Sequence, residues 1–156
     1  MSPDRLLPVA IALGSNLGDR ERNLHDAAHR ISAFIEHLQL SSFYDTAPVG
    51  VGAQPRFLNA AAVGETRLGA RELLNRLLAV ESALGRERPY VGAPRTVDLD
   101  LVLYGGATID EPGLIVPHPR FRERRFVLAP LAEVAGAWTD PVSGQTVSAL
   151  LEALPA

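Results

Sequence analysis

The sequence predicts an α+β fold in which two strand–helix–strand units interleave in one antiparallel sheet. Three observations predict it. Residues 9–13 (VAIAL) and 57–66 (FLNAAAVGET) read as strands, and each is followed by a stretch with apolar residues at helical spacing. Residues 96–104 (TVDLDLVLY) carry the clearest period-two alternation in the chain. No linker, repeat or low-complexity tract divides the 156 residues, so 1–156 is expected to form a single domain.

Each element has its own local reason. In 9–13, Val9, Ile11 and Leu13 share one face and small alanines occupy the other. Gly14 to Gly18 (GSNLG) ends that strand, and a helix is expected to begin near Asp19 or Arg20. Its stripe is Leu24, Ala27, Ala28, Ile31 and Ile35. Residues 38–46 are strand-like but mixed, and 47–55 hold two prolines and two glycines, which mark a long loop. The second helix is expected over 68–84, with Leu73, Leu77, Val80 and Leu84 aligned, Leu74 beside them and Gly85 as its stop. A basic loop broken by Pro and Gly, 86–95, leads into 96–104, and Gly105-Gly106 turns the chain. Residues 107–109 and 114–116 read as short edge strands, and 126–134 and 148–154 as short helical pieces. The order strand, helix, strand, strand, helix, strand is the ferredoxin-like split βαβ arrangement. Helices then cover one face of the sheet and leave the other for an active site or the C-terminal segments.

Composition narrows the function. Apolar residues make up 47% and charged residues 21%, which supports a packed core. The 15 basic residues are all arginine and face 18 acidic ones, a net charge of −3 that argues against gripping bulk nucleic acid. There is no cysteine, which excludes disulfides, thiolate metal sites and a cysteine nucleophile. The apolar run Leu6 to Leu13 is too short to cross a bilayer and lacks the layout of a signal peptide, so a soluble, cytoplasmic protein with no membrane partner is expected.

Asp98 and Asp100 flank Leu99 in a strand, so both carboxylates point to one face, roughly 6.5–7 Å apart at the backbone. Val97, Leu99, Leu101 and Leu103 are expected to point the other way, toward the helices. Two adjacent carboxylates invite a cation. Mg²⁺ suits them because it prefers oxygen and keeps water or phosphate ligands, and a pair of metals is another option. The tripeptide alone also fits a half-exposed strand with ordinary salt bridges. Phe57 and Asn59 share period-two spacing, which offers an aromatic platform and an amide to a flat polar heterocycle. Arg86, Arg88 and Arg95 lie on the second loop, with Arg95 nearest the carboxylates. Glu81 borders the apolar stripe of the second helix, which points to an ion pair or hydrogen bonds to a loop. His118, between two prolines, precedes Arg120, Arg122, Arg124 and Arg125, the densest positive patch, and suits phosphate. Phe126 offers either a second wall facing Phe57 or a core residue. GSNLG matches neither common phosphate-loop pattern and is weak alone.

Taken together, ALGSNLGDR (12–20), SSFYDTAPVG (41–50), QPRFLNAA (54–61), GAPRTVDLDL (92–101) and VPHPRFRERRFVLAPL (116–131) resemble the 6-hydroxymethyl-7,8-dihydropterin pyrophosphokinase family of folate biosynthesis, in the family's order. The resemblance implies a single pyrophosphokinase domain of ferredoxin-like fold. It implies transfer of the β,γ-pyrophosphate of ATP to the hydroxymethyl group of a dihydropterin, leaving AMP. By matched position it implies two Mg²⁺ ions on Asp98 and Asp100, and the pterin between Phe57 and Phe126. Asn59 then meets the pterin edge, with backbone groups near Thr46 and Pro48 helping. Arg86, Arg95, His118 and Arg124 are implied at the triphosphate, and Glu81 in support from the second helix. The partners implied are these two small molecules, with no nucleic acid and no obligate protein. The chain departs from the family pattern in a second loop one residue short and lacking a Trp, in Phe rather than Tyr at 57, and in Pro119 after the histidine.

Overall fold

The structure, a computed structural model, describes residues 6–47, 56–85 and 96–155. In chain order they form β1 (Leu7–Ser15), α1 (Arg20–Ile31), β2 (Glu36–Leu40), β3 (Tyr44–Thr46), β4 (Phe57–Thr66), α2 (Ala70–Gly85) and β5 (Asp98–Tyr104). A small hairpin follows, β6 (Ile109–Glu111) with β7 (Leu114–Val116), then a 3₁₀ turn (Phe121–Glu123), α3 (Arg125–Ala135) and α4 (Val147–Ala153). The main sheet is antiparallel in the order β2-β4-β1-β5, with β3 sharing the outer edge of β4 with β2. This is the ferredoxin-like α+β arrangement, with each helix crossing over one intervening strand.

Asp19 caps α1, its carboxylate accepting from the Arg22 N–H at 3.1 Å. Leu24, Ala27, Ala28 and Ile31 face inward from α1, and Leu73, Leu77 and Val80 from α2. They meet Val9, Ile11 and Leu13 of β1, Leu58, Ala60 and Ala62 of β4, and Leu99 and Leu101 of β5 in one core layer. Fully burying one such leucine or isoleucine is worth roughly 1.5–3 kcal/mol, so this layer dominates the stability of the sheet–helix half.

The second face is not left bare. Val127, Leu128, Leu131 and Ala135 of α3, with Val147 and Leu150 of α4, pack on Ala10, Ala61, Val63, Val102 and Leu103. The C-terminal helices thus close half of that face and leave open the half at the end of β1 that carries Gly14.

The elements differ from expectation in five places. The strand-like 38–46 is two strands, because the chain leaves the ladder at 41–43. There the Ser41 hydroxyl accepts from the Ala61 N–H at 2.9 Å. The strand expected over 96–104 begins at Asp98 rather than 96. Ile35 is buried beyond the end of α1, in the turn at 32–35 rather than on the helix. Leu103 faces the C-terminal helices rather than α1 and α2, because β5 bulges. Ile11 pairs with Leu101 and Ala10 with Leu103, so Val102 is the extra residue and the side-chain alternation reverses beyond it. The expected edge strands at 107–109 and 114–116 are the β6–β7 hairpin, a separate two-stranded sheet.

Candidate active site

Antiparallel register builds the site from three strands side by side. Gly14 of β1 is paired with Asn59 of β4 on one side and Asp98 of β5 on the other. Ala12 is paired likewise with Ala61 and Asp100. The two small residues make a trough floor between an amide and two carboxylates. Two strand spacings separate β4 from β5, roughly 10 Å. That is the span of a bicyclic heterocycle with a short side arm.

The trough is one end of a cavity of 660 Å³ whose lining includes Ala12, Gly14, Thr46, Phe57, Asn59, Asp98, Asp100, Arg124 and Phe126. Asn59 is buried, and its Nδ2 donates to Thr46 Oγ1 at 2.6 Å, which leaves its carbonyl oxygen toward the floor beside Gly14. Thr46 is paired with Phe57 across β3 and β4. Phe126 lies in the first turn of α3, with the Arg124 guanidinium 5.6 Å from its ring centre. A second cleft of 380 Å³ lies on the far side of the carboxylates, lined by Glu81, Asp98, Asp100 and His118 and by the apolar Leu74, Leu78, Leu114, Ile115 and Pro119. Asp98 and Asp100 are common to both clefts.

The outer edge of β5 is held at two points. The Leu99 N–H, between the two aspartates, donates to Glu81 Oε2 at 2.6 Å. The His118 N–H donates to the Val102 carbonyl at 3.1 Å, beside the bulge. This anchors the 116–118 stretch, whose Val116–Pro117 bond is cis, next to the carboxylate strand. Burial pushes the His118 imidazole below its ordinary 6.5; Arg124 and Arg120 act in the same sense and Asp100 against them. Its Nδ1 accepts from the Arg120 N–H at 3.2 Å, so the neutral ring keeps its proton on Nε2 as a donor.

The arginine patch divides. Arg122 forms a bidentate pair with the fully buried Asp140, one contact at 2.8 Å. Arg125 reaches the Pro155 carbonyl at 3.0 Å. Both are tied to the C-terminal packing, but Arg125 also lines the cavity, with Arg120 and Arg124, and Arg122 does not. Pro48, Arg86, Arg88 and Arg95, with both Pro/Gly-broken loops, lie outside the described residues.

Of the residues singled out in the sequence, the structure brings Asp98, Asp100, Phe57, Asn59, Thr46, Phe126 and Arg124 to one cavity, and Glu81 and His118 to the cleft beside it. Sequence reasoning missed the floor. The signal was present in the small residues of β1 at two-residue spacing, Ala12 and Gly14. It also missed the second cleft, whose walls come from α2 and the β6–β7 hairpin and share no local pattern.

No three His, Asp or Glu side chains converge into a metal cage among the described residues. The donor set nevertheless fits Mg²⁺, which is usually held by one or two carboxylates and completed by water and phosphate.

The model of the 7,8-dihydro-6-hydroxymethylpterin-pyrophosphokinase family matches residues 10–136. The chain belongs to this family. The 2-amino-4-hydroxy-6-hydroxymethyldihydropteridine pyrophosphokinase of Bacillus subtilis is 48% identical over 126 residues, covering 80% of this chain and 75% of that protein. A mitochondrial folate synthesis bifunctional protein of Arabidopsis thaliana is 46% identical over 133 residues, 85% of this chain but 24% of its own length. The chain therefore spans about a quarter of that relative. In fold it matches a Plasmodium falciparum HPPK-DHPS with a TM-score of 0.76 at 14% identity, over 95% of this chain and 44% of that one. No helix among the described residues is long and apolar enough to cross a membrane.

Proposed function

We propose that this chain is a single pyrophosphokinase domain that moves the β,γ-pyrophosphate of ATP onto the hydroxymethyl oxygen of 6-hydroxymethyl-7,8-dihydropterin, releasing AMP. One observation carries the reading: two clefts of different character meet at a shared pair of carboxylates, Asp98 and Asp100. Family membership implies ATP and Mg²⁺ as well as small-molecule substrates.

The pterin lies on the Ala12/Gly14 floor between Phe57 and Phe126, and its polar edge meets Asn59 and the backbone near Thr46, with Pro48 added on the sequence resemblance alone. Its side arm points across the trough to the carboxylates. The nucleotide takes the second cleft. Leu74, Leu78 and Ile115 receive the base, and His118 Nε2–H and Arg124 meet the phosphates. Arg86 and Arg95 join them on the sequence argument alone. Asp98 and Asp100 would hold two Mg²⁺ ions, which neutralise phosphate charge and polarise the β-phosphorus. Glu81 fixes the carboxylates through the Leu99 N–H. In the transfer, the hydroxymethyl oxygen bonds to the β-phosphorus and the bridge to the α-phosphate breaks, with AMP as leaving group. One carboxylate accepts a hydrogen bond from the incoming hydroxyl, whose proton is released to solvent as the oxygen–phosphorus bond forms.

The test is to supply ATP, Mg²⁺ and the dihydropterin, then identify both products by mass. AMP and a pterin diphosphate in equal amounts, each dependent on the pterin, are expected. ADP with a pterin monophosphate, or no turnover by folded protein, overturns the proposal.

A further inference from the structure

Glu133, seven residues after Phe126 on α3, lies away from the reacting groups, yet it makes three short hydrogen bonds to Tyr44 of β3, the strand that carries Thr46, and to Ser42 just before it. Its Oε2 accepts from the Ser42 N–H at 2.8 Å; its Oε1 accepts from the Ser42 hydroxyl at 2.6 Å and from the Tyr44 hydroxyl at 2.8 Å. The bonds from the Ser42 hydroxyl, the Ser42 N–H and Tyr44 hold the Glu133 carboxyl below the ordinary carboxylate range. Burial and Glu133 push the Tyr44 phenol up.

The strand needs such an anchor. β3 has three residues and, among the described residues, pairs only with β4. Tyr44 and Thr46 share one face by the period of two, and Asp45 points to the other. On that other face Asp45 accepts from Arg20 at 3.1 Å and from Arg56 at 2.9 Å. Glu133 and the two arginines therefore brace β3 from opposite sides. Thr46 in turn fixes the buried Asn59 amide at 2.6 Å. Phe126 comes from the same helix as Glu133, so one carboxylate ties the helix bearing one cavity wall to the strand that orients the amide of the other.

We infer that Glu133 is a positioning residue for the heterocycle cleft: through Ser42 and Tyr44 it sets β3, hence Thr46 and Asn59, at a fixed distance from Phe126. The inference rests on the pterin reading for its ligand, but not for its structural link. Removing the anchor leaves β3 paired with β4 and braced by Asp45, so the fold persists while the amide loses its alignment.

Glu133→Gln and Tyr44→Phe test it in the full chain. Two-dimensional NMR of the unliganded protein reads the link. The Asn59 side-chain amide signals are expected to shift and exchange faster with solvent, while the Trp138 indole stays put. Fluorescence titration with 6-hydroxymethyl-7,8-dihydropterin reads the consequence. Glu133→Gln is expected to weaken pterin binding about tenfold and Tyr44→Phe about threefold, the scale of lost charge-assisted and single hydrogen bonds. Affinity for a non-hydrolysable ATP analogue is expected to stay within twofold. Unchanged Asn59 signals overturn the positioning role, as does an equal loss of pterin and nucleotide affinity. If wild-type protein binds no pterin, the substrate reading fails, and the Asn59 signals alone decide the link.

Discussion

Replacing Gly14 by alanine separates the demands of the fold from those of the cleft. A Cβ at Gly14 would stand 3.1 Å from Asn59 Oδ1 and 3.7 Å from the Phe57 ring. Ordinary contact needs a few tenths of an ångström more. Asn59 can give way only by straining its 2.6 Å bond to Thr46. The amide then meets the heterocycle edge out of line, and the loss of one or two hydrogen bonds amounts to about 1.5–2 kcal/mol, roughly 10- to 30-fold in Kd. The fold has little to lose. Gly14 lies in a regular strand, and alanine there is favoured over glycine by about 0.5–1 kcal/mol through the unfolded chain. That offsets the tight contact, so Tm should move by no more than about 3 °C. Fluorescence titration with the dihydropterin and a thermal melt, run on wild type and Gly14→Ala, give both quantities. Pterin affinity within twofold of wild type refutes the trough floor. So does a Tm that falls sharply with pterin and nucleotide affinity lost together.

Two further predictions test the surroundings of the site. Asp140 is fully buried, and although burial raises its pKa, bonds from Arg122, Ser143 and the Val142 N–H outweigh it and hold the carboxyl well below its ordinary 3.8. The folded state thus favours the ionised form, so the contribution to stability is complete above about pH 4 and is lost as pH falls through the lower folded value. Asp140→Asn should cost about 3 kcal/mol by urea denaturation at pH 7 and flatten the acid limb of the stability profile; an unchanged acid limb contradicts the assignment. For His118, NMR titration should give a midpoint below 6.5, moving up in Arg124→Ala, which removes a cation, and further down in Asp100→Asn, which removes the opposing anion. Shifts of the opposite sign contradict the placement of His118 between those charges.

Most of the architecture was legible because periodicity and burial agree. The α1 and α2 stripes read off directly, and the i, i+2 spacing put Asp98 with Asp100 and Phe57 with Asn59 on one face. What escaped the sequence depends on partners distant along the chain. The bulge at Val102 follows from register against Ala10 and Ile11, so the inward turn of Leu103 has no local sign. Arg122, Arg124 and Arg125 look alike in sequence. They part company only because Asp140 and the Pro155 carbonyl lie where the C-terminal segment folds back. Glu133 is an exposed glutamate on a helix until Ser42 and Tyr44, about ninety residues earlier, are brought beside it.

The most direct test is single-turnover formation of pterin diphosphate from ATP by wild type and Asp98→Asn, with pterin affinity measured on the same samples. The carboxylate at the junction of the two clefts should matter for transfer and little for holding the heterocycle. Transfer should fall more than about 1000-fold, equivalent to about 4 kcal/mol of transition-state stabilisation, with pterin Kd within about threefold of wild type. A variant that transfers pyrophosphate within tenfold of wild type contradicts the role of Asp98 and, with it, the meeting of the two clefts as the seat of the reaction.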